Sequence, residues 1–482
     1  MHFDRNFLKI ALPKADLLYD SISNDISFSI DTRAIKKGDI FIALKGKVND
    51  GHQFVKDAIS KGASGLIISD KNAINGIDQK ILNNMLVILV EDTLNALLKL
   101  ASCWRAKFSY PVVGITGSVG KTSTKEIIAN ILNLNKMNAL VSYGNENSLI
   151  GVSLNILKMK SEHDIAIIEM GVSKHGEMAM LADIVRPTIA IITAVGHSHI
   201  EGFGSVSEIA AEKRNIFKYF KEDNIGIVNG DQAQLSQIGY IHPVVKFGSK
   251  ITNQIQARKI NVTNSQITFT LKIYKKKYNI TLESNHAGNV FNILAATALA
   301  CVIGVSNEVI LKSIEVPIRV PARFEYKNLK VGNGILIDDC INAGPESVKA
   351  ALLAFERIET KSLKVFVFSD MKELGADSSF WHRQIGRFLR KVPSLGHLIL
   401  VGDQIKWTKM TIPAKLSCDI VPTWQDAIDL LKNKIEKQES LVLVKGSTAG
   451  YTSGLVNLVN HFTDSNLVKL SYKQNTKTRE LV

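Results

Sequence analysis

The stretch "VVGITGSVGKTSTKEIIANIL", residues 112–132, decides the fold because it changes from strand-like to helical periodicity across a glycine-containing loop. Residues 112–116 have the pattern of a buried strand, and apolar side chains from Ile127 onward recur at helical spacing. The first amide groups of a helix have no partner within it and carry partial positive charge, so a loop that leads into them binds anions. The sequence therefore predicts a strand, an anion-binding loop and a helix that begins near Lys121.

The spacing within this loop predicts a nucleotide phosphate site. Gly114, Lys121 and Thr122 fit G-x-x-x-x-x-G-K-[ST], one residue longer than the plain phosphate-loop pattern. Gly117 and Gly120 let the backbone approach a ligand closely, and the lysine adds a positive charge. The alternative is an ordinary glycine turn with a solvated lysine. It is less favoured, because the flanking strand and helix are those that the motif requires.

Length and composition indicate a large protein without a membrane span. With 482 residues the chain has the length of roughly three domains. It has no apolar run long enough to span a bilayer, and its start lacks a basic head followed by an apolar block, so we expect no secretory signal and a cytoplasmic protein. The four cysteines are widely scattered, which favours reduced, mostly buried thiols over a disulfide framework or a metal cage.

The formal net charge of +14 raises the question of a nucleic-acid partner. The lysines are spread along the chain and form no basic block with interleaved aromatic residues, so we expect no nucleic-acid binding. A polyanionic small substrate, or merely a lysine-rich genome, explains the excess as well.

The patterns divide the chain into three α/β domains. Residues 1–100 mix short alternating stretches with a helix–strand pair, which predicts a small mixed domain. Residues 101–318 alternate apolar strands with helices, which predicts a doubly wound domain with a β-meander appended at 253–282. Residues 319–482 predict a second open, Rossmann-like α/β sheet. The segment "VPIRVPARFEY", residues 316–326, is a candidate hinge.

Glu169 ends the strand in "IAIIEMG", at the edge where open α/β sheets gather their ligands. A carboxylate there would bind Mg²⁺ together with the Thr122 hydroxyl and the nucleotide phosphates. An acid at a strand end is often only a helix cap or a surface charge. The phosphate loop upstream in the same sheet favours the metal role.

Two histidines, His197 and His199, follow the next strand in "TAVGHSHIEGFGS". Their i, i+2 spacing suggests zinc, but nothing nearby supplies two further soft ligands for a closed structural site. The milder interpretation is that one imidazole assists Mg²⁺ or substrate. A hydrogen-bonded structural role stays open for His197.

Lys213 lies in the helical stretch "VSEIAAEKRNIFKYF", in register with the core-facing Ile209, Ile216, Phe217 and Phe220. A lysine in such a position more often extends its ammonium to solvent than reacts. Periodicity alone therefore predicts no role for Lys213.

Two strand ends in the third predicted domain also carry charged residues. "LIDDCINAGPES" ends a strand with Asp338 and Asp339 and places Pro345 in the first turn of a helix. Acidic side chains there bind ribose hydroxyls or simply cap the turn. "LVKGSTAG" ends the last predicted strand with Lys445, before a helix start suited to a carboxylate or phosphate.

Taken together, these stretches resemble the Mur ligase family over nearly the whole chain. "SIDTRAIKKGDIFIALKGKVNDGHQFV" resembles the family's amino-terminal domain, "GITGSVGKTSTKE" its ATP loop, and "HIEGFGS" and "DMKELG" its most specific signatures. The D-N-P-R motif expected of the ligase that adds meso-diaminopimelate or lysine is absent, and "DDCINAGPES" stands in that region.

The resemblance implies an ATP-dependent, ADP-forming ligase of peptidoglycan synthesis. Its substrates would be UDP-N-acetylmuramoyl-tripeptide and D-alanyl-D-alanine, joined through an acyl phosphate, and the protein would be a monomer. One alternative is another Mur-type ligase that adds a single amino acid. A second alternative is a nucleotide-dependent regulatory module that uses the phosphate loop as a switch.

The resemblance also implies roles for individual residues, with Lys121, Glu169, His199 and Lys213 in catalysis. The residues implied to bind ATP are Gly117, Ser118, Gly120, Lys121, Thr122, Ser123, Asn289, Asn292, Arg323 and Asp339. Thr122 and Glu169 would hold one Mg²⁺ ion. His199 and Lys213 would hold a second, with the lysine carbamylated by CO₂. The residues implied to contact the UDP-substrate are Thr32, Arg33, Asn145 and Asn147.

Five positions depart from the family pattern. They are Gly288, Ile341, Gly344, Asn215 and Ser173, which stand where the family has histidine, tyrosine, asparagine, glutamate and asparagine. None lies in the phosphate loop. The departures leave open whether rate or acceptor choice differs from the family pattern, and the expected reaction class is unchanged.

Overall fold

Three separate β-sheets, each covered by helices, organise the described part of the chain in the computed structural model. The structure describes residues 4–21, 26–46, 49–317, 319–447 and 454–467. The sheets have five, nine and seven strands and follow one another along the sequence. The predicted class, a three-domain α/β protein, is confirmed. The boundaries at residues 100 and 318 stay predictions.

The first sheet is mixed, as the sequence predicts. Its elements are α1 (Arg5–Ala11), β1 (Asp16–Asp20), β2 (Phe28–Ser29), β3 (Ile40–Ile42), α2 (Val55–Ser60), β4 (Gly65–Ile68), α3 (Gln79–Leu82) and β5 (Leu86–Leu89). The strand order is β1-β5-β4-β3-β2, with β1 antiparallel to β5 and the other pairs parallel. Helix α4 (Thr93–Arg105) follows it.

The second sheet begins with the stretch that decides the fold. Its first half contains β6 (Val112–Thr116), α5 (Lys121–Leu134), β7 (Ala139–Val141), α6 (Leu149–Ile156), β8 (Ile165–Glu169), α7 (Glu177–Val185), β9 (Ile189–Ile192), α8 (Ile200–Phe203) and α9 (Val206–Arg214). Its second half contains β10 (Ile225–Asn229), α10 (Ala233–Ser236), β11 (Val244–Gly248), β12 (Ile255–Val262), β13 (Ile267–Ile273), β14 (Lys276–Leu282), α11 (Gly288–Val302) and α12 (Asn307–Glu315). The predicted strand at 112–116 and helix start at Lys121 are confirmed.

The strand order of this sheet is β14-β13-β12-β11-β10-β9-β6-β8-β7. Strands β6 to β12 pair in parallel, and β12, β13 and β14 form the predicted antiparallel meander. Successive side chains of a strand point to opposite faces, and both faces of β6 are buried: Val113 and Ile115 belong to one core cluster and Val112 to another. This is the burial expected for a doubly wound sheet.

The third sheet is the second open α/β sheet that the sequence predicts. Its elements are β15 (Glu325–Leu329), β16 (Gly334–Asp339), α13 (Pro345–Arg357), β17 (Leu363–Ser369), α14 (Ser378–Phe388), β18 (His397–Val401), α15 (Lys406–Lys409), β19 (Ser417–Val421), α16 (Trp424–Ile435), β20 (Ser440–Lys445), α17 (Gly454–Phe462) and β21 (Thr463–Leu467). The order is β19-β18-β17-β20-β16-β15-β21, and only the two pairs that involve β15 are antiparallel.

All four cysteines lie within the described residues and are free thiols. Only Cys340 is buried, and the other three are half-buried, so the expectation of mostly buried thiols was wrong. None of the helices in the described part of the chain is long and apolar enough to cross a membrane.

Candidate active site

The carboxyl ends of three neighbouring parallel strands, β8, β6 and β9, form the centre of the candidate site. The loop after β6 is the predicted phosphate loop, Glu169 is the last residue of β8, and Thr193 follows β9. Ligands of open α/β sheets collect at this edge, because loops from adjacent strands converge there. The fold therefore brings these sequence-distant segments together.

Hydrogen bonds join the phosphate loop to the loop after β9. The Ser118 amide donates to the Ala194 carbonyl at 2.7 Å, and the Thr193 hydroxyl donates to the Val119 carbonyl at 2.6 Å. Gly120, the residue before α5, has a φ of +86°, a left-handed conformation that glycine adopts without a Cβ clash. The first amides of α5 are thus presented to a ligand.

Lys121 is folded back over this loop. Its Nζ donates to the Gly117 carbonyl at 2.7 Å. Burial lowers the pKa of the Lys121 ammonium; the charge of Glu169 opposes this shift and that of Arg323 adds to it. A polyanionic ligand would stabilise the charged form, so the arrangement is suited to phosphate binding.

Glu169 is almost fully buried, with 1% exposed, and its two oxygens differ. Oε1 accepts from the Thr122 hydroxyl at 3.2 Å and from Asn147 Nδ2 at 2.7 Å, whereas Oε2 has no hydrogen-bond partner among the residues that the structure describes. A buried carboxylate oxygen without a partner is costly unless a ligand or cation meets it. Glu169 and Thr122 thus offer the hard oxygen donors that Mg²⁺ takes beside substrate phosphates.

No group of three or more His, Cys, Asp or Glu side chains that could hold a metal comes together among the described residues. An all-protein cage is therefore not built there. Mg²⁺ commonly binds through one or two carboxylates, with phosphate oxygens and water completing its shell. The donor set of Glu169 and Thr122 fits that mode.

Lys213 contradicts the prediction from periodicity that its ammonium reaches solvent. The residue lies in α9 and is 1% exposed. Burial lowers its pKa well below the usual value; the neighbouring Lys121 charge adds to that and Glu212 opposes it. Helical periodicity identifies the face that is buried, but it does not show whether a lysine stem on that face leads to water.

The position of Lys213 is fixed through its neighbour Glu212. The Glu212 carboxylate accepts from the amides of Gly176 and Met178, at 3.0 and 2.8 Å, at the first turn of α7. Asn215, which stands where the family has a glutamate, donates to the same carboxylate at 3.3 Å. α9 is thereby anchored to the loop that follows Glu169.

Both histidines after β9 contact the third sheet's loops, which the sequence did not show. His199 has a φ of +63°, and its Nδ1 contacts a carboxylate oxygen of Glu373 in the "DMKELG" stretch. The Glu201 amide donates to the Glu373 carbonyl at 3.1 Å. His197 Nδ1 lies 2.5 Å from Glu346 Oε1, at the first turn of α13. Glu346 and Glu373 are thus site residues that sequence reasoning missed.

A cavity of about 970 Å³ lies between the second and third sheets, beside the phosphate loop. The predicted ATP residues that line it are Ser118, Gly120, Lys121, Thr122, Ser123, Asn289, Asn292, Arg323 and Asp339. The predicted residues outside its lining are Gly117, Glu169, His199, Lys213, Asn145, Asn147, Thr32 and Arg33. The lining therefore contains every predicted nucleotide residue except Gly117. Of the predicted metal residues it contains only Thr122, and it contains none of the predicted UDP-substrate residues.

Within this cavity several predicted residues already have partners. Asn289 Nδ2 donates to the Ser284 hydroxyl at 3.0 Å, and the Arg323 guanidinium donates to the Ile341 carbonyl. Asp339 Oδ2 accepts from the buried Lys445 ammonium at 2.6 Å. Asp339 at the end of β16 and Lys445 at the end of β20 therefore form an ion pair.

Gly288, where the family has histidine, opens α11 and lines the cavity together with His286. A Cβ added at position 288 would lie 2.9 Å from His286 Cε1, so the imidazole occupies the adjoining space. His286 is half-buried and lines the cavity, and the exchange lies outside the phosphate loop.

The predicted UDP-substrate residues lie in two places. Thr32 is buried, whereas Arg33 is exposed and pairs with Asp31 at 2.6 Å, in the loop between β2 and β3. Asn145 and Asn147 lie in the loop between β7 and α6, where Asn147 contacts Glu169. The second pair is therefore next to the candidate metal donors, and the first pair belongs to the first sheet.

The fold and the site together are those of an ATP-dependent ligase. Three family models match successive parts of the chain: "Mur ligase family, catalytic domain" at residues 27–104, "Mur ligase middle domain" at 115–300 and "Mur ligase, glutamate ligase domain" at 322–448. The chain belongs to the Mur ligase family.

Named relatives and solved structures agree with this assignment. The chain is 33% identical to the UDP-N-acetylmuramoyl-tripeptide–D-alanyl-D-alanine ligase of Escherichia coli over 398 residues, which is 82% of this chain and 83% of the relative. The enzyme of that name from Haemophilus influenzae is 29% identical, over 90% of this chain and 93% of its own length. The structure of MurF ligase from Thermotoga maritima in complex with ADP matches with a TM-score of 0.75 and 27% identity, over 90% and 96% of the two chains.

Proposed function

We propose that the protein joins D-alanyl-D-alanine to UDP-N-acetylmuramoyl-tripeptide for peptidoglycan synthesis, converting ATP to ADP and phosphate. The names of the relatives support the substrates, and the ADP complex of the Thermotoga structure supports the nucleotide. The observation that carries the proposal is the convergence of Lys121, Thr122 and the unpartnered Glu169 oxygen at the start of α5. These groups suit the transfer of a phosphoryl group to a carboxylate.

In the first step the terminal carboxylate of the tripeptide attacks the γ-phosphorus of ATP. The bond to the β,γ-bridging oxygen breaks, and an acyl phosphate and ADP result. Lys121 and the first amides of α5 stabilise the charge on the phosphate oxygens, as preorganised donors do in a site of low dielectric. No protein nucleophile is needed, because the substrate carboxylate accepts the phosphoryl group.

Thr122 and Glu169 are the residues proposed to hold one Mg²⁺, and His199 and Lys213 a second. Mg²⁺ bound there would neutralise negative charge that develops on the transferred phosphoryl group. For His199, the contact of Nδ1 with the Glu373 carboxylate fixes one side of the imidazole. For Lys213, full burial favours the neutral amine, the form that reacts with CO₂ to give a carbamate with two oxygen donors.

In the second step the neutral amine of D-alanyl-D-alanine attacks the acyl carbon. The tetrahedral intermediate expels phosphate, which takes up the proton that the nitrogen loses, and an amide is left. Water must be excluded, because an acyl phosphate hydrolyses. The contacts of His197 with Glu346 and of Glu201 with Glu373 join the second and third sheets beside the site. We assign them to the closed state of a motion about residues 316–326.

The remaining residues are assigned to substrate binding within the three proposed domains, 1–100, 101–318 and 319–482. Asn289 and Asn292 are assigned to adenine, and Arg323 and Asp339 to ATP from the third domain; all four line the cavity. Thr32 and Arg33 are assigned to the UDP end of the substrate. Asn145 and Asn147 are assigned to its muramyl-peptide end.

The test is an acceptor comparison. Phosphate release from Mg-ATP is measured with UDP-N-acetylmuramoyl-tripeptide and, in turn, D-alanyl-D-alanine, D-alanine, L-lysine or meso-diaminopimelate. The proposal expects multiple turnovers only with the dipeptide, and a product that is heavier by one dipeptide less water. Faster turnover with a single amino acid would overturn the acceptor assignment. ATP hydrolysis that ignores every acceptor would overturn the ligase assignment.

A further inference from the structure

Lys125 is a charged residue that the proposed mechanism does not use, although it lies one turn along α5 from Lys121. Its side chain is fully buried, with 0% exposed. Nζ donates to the carbonyls of Ser142 and Gly144, at 2.7 and 2.6 Å, and forms an ion pair with Glu126 at 3.1 Å. A buried ammonium is retained only where several acceptors compensate its lost hydration.

The segment that Lys125 holds, residues 142–147, contacts Glu169 at two points. The Glu169 amide donates to the Ser142 hydroxyl at 3.0 Å, and Asn147 Nδ2 donates to Glu169 Oε1 at 2.7 Å. The Asn147 carbonyl also accepts from the Gly171 amide at 2.8 Å. This segment thus determines where the Glu169 carboxylate lies.

We propose that Lys125 is a positioning residue that joins the helix of the phosphate loop to the segment that orients Glu169. One face of α5 carries Thr122 to the Glu169 carboxylate, and the Lys125 ammonium ties the same helix to the carbonyls of residues 142 and 144. The helix therefore contacts Glu169 directly through Thr122 and indirectly through Lys125 and the segment 142–147. The inference rests on the proposed function, because it concerns the use of Mg²⁺ and of the UDP-substrate.

The chain offers a matched control in Lys364. This lysine is 4% exposed and donates to the carbonyls of Phe355 and Glu356, at 3.0 and 2.9 Å, and to the Ser394 hydroxyl at 2.9 Å. Like Lys125, it has a buried ammonium that is bound to backbone carbonyls. Its ammonium lies at the carboxyl end of α13, whereas Glu346 is in the first turn of that helix. Lys125→Met and Lys364→Met remove equivalent interactions at a site-linked position and at a remote one.

The experiment measures Mn²⁺ binding by electron paramagnetic resonance in the presence of ADP, hydrogen exchange of residues 141–148, and steady-state kinetics for the parent and both variants. We expect Lys125→Met to weaken Mn²⁺ binding by about tenfold, as the loss of a residue that orients a metal ligand does. We also expect faster hydrogen exchange at residues 141–148. The KM for the UDP-substrate should increase more, relative to the parent, than the KM for ATP. Lys364→Met should change none of these.

Equal responses of the two variants, or an unchanged Mn²⁺ affinity in Lys125→Met, would overturn the inference. If Lys125→Met does not fold, Asn147→Ala replaces it, since this variant cuts the same connection at Glu169; unchanged Mn²⁺ binding would then overturn the inference. A parent protein that binds Mn²⁺-ADP but forms no product would count against the proposed function alone, and the Mn²⁺ comparison would still decide the role of Lys125.

Discussion

Thr122 Oγ1 and Glu169 Oε1 lie 3.2 Å apart although 47 residues separate them in the sequence. They meet because β6 and β8 are adjacent parallel strands, with Ile115 paired to Glu169 in the register. A hydroxyl at the start of a helix is thus placed against an acid at the end of the neighbouring strand. This pairing is the structural basis for assigning a Mg²⁺–phosphate site to this edge of the sheet.

Lys121→Ala should lower turnover by at least about a hundredfold. The substitution removes the positive charge that faces the transferred phosphate, and the loss of one such donor costs about 10²–10³-fold in kcat. Phosphate release under saturating substrates measures this. Circular dichroism and thermal unfolding should show an intact fold, since within the described part of the chain Nζ has a single hydrogen bond, to the Gly117 carbonyl. Retention of more than a tenth of the activity would exclude Lys121 from the phosphate site.

Lys213→Ala should be inactive and should regain part of its activity when a short-chain carboxylic acid is added. The acid supplies the oxygen donors that the carbamate would otherwise provide in the space left by the buried side chain. Lys121→Ala is the control, because a carboxylate cannot replace a lost positive charge. The carbamate assignment fails if Lys213→Ala is fully active, or if both variants respond alike to the acid.

Binding of ATP and the UDP-substrate together should make the protein more compact in small-angle scattering. Glu346→Gln should reduce this compaction, because it weakens the contact of the first turn of α13 with His197 while keeping the side-chain shape. Glu436→Gln, at an exposed position at the end of α16, is the control. An identical scattering profile with and without both ligands would contradict closure about residues 316–326.

Thermal stability should fall as the pH is lowered from 7.5 to 5.5, and His382 should contribute to that fall. His382 is fully buried: Nε2 accepts from the Met371 amide at 3.1 Å and Nδ1 faces the Ser378 carbonyl at 2.8 Å. Burial lowers the pKa of this imidazole, while the Ser378 carbonyl and Asp370 oppose the shift. The unfolded chain therefore binds more protons than the folded one below the unfolded pKa of about 6.5, and stability decreases there.

The check is the difference in Tm between the two pH values. His382→Gln should lower Tm at pH 7.5, through the lost hydrogen bonds, and should also show a smaller decrease on acidification. His175→Gln, at an exposed position, should keep the parent's decrease. A variant at His382 with the parent's full pH dependence would show that its protonation does not contribute.

The parts of the fold that depend on local pattern were predictable from the sequence. The strand at 112–116, the helix start at Lys121 and the first turn of α13 at Pro345 follow from apolar periodicity, glycine and proline. The sequence also placed Glu169 and the phosphate loop at the same edge of one sheet, because the carboxyl ends of parallel strands share that edge. It did not show that β6 and β8 are direct neighbours.

The contacts of buried polar groups were not predictable in this way. In the sequence, the helix positions of Lys213 and Lys125 cannot be distinguished from those of solvated lysines. Only the tertiary structure shows that both side chains are buried. Glu373 and Glu346 meet the two histidines across the gap between two sheets. Such contacts depend on how whole domains are placed, which no local periodicity encodes.

The central claim is that ATP activates the tripeptide carboxylate as an acyl phosphate, and isotope transfer tests it most directly. The terminal carboxylate of UDP-N-acetylmuramoyl-tripeptide is labelled with oxygen-18, the reaction is run with Mg-ATP and D-alanyl-D-alanine, and the released phosphate is analysed by mass spectrometry. The account predicts one labelled oxygen in each phosphate formed. Product accompanied by unlabelled phosphate, or phosphate whose label comes only from solvent water, would contradict it.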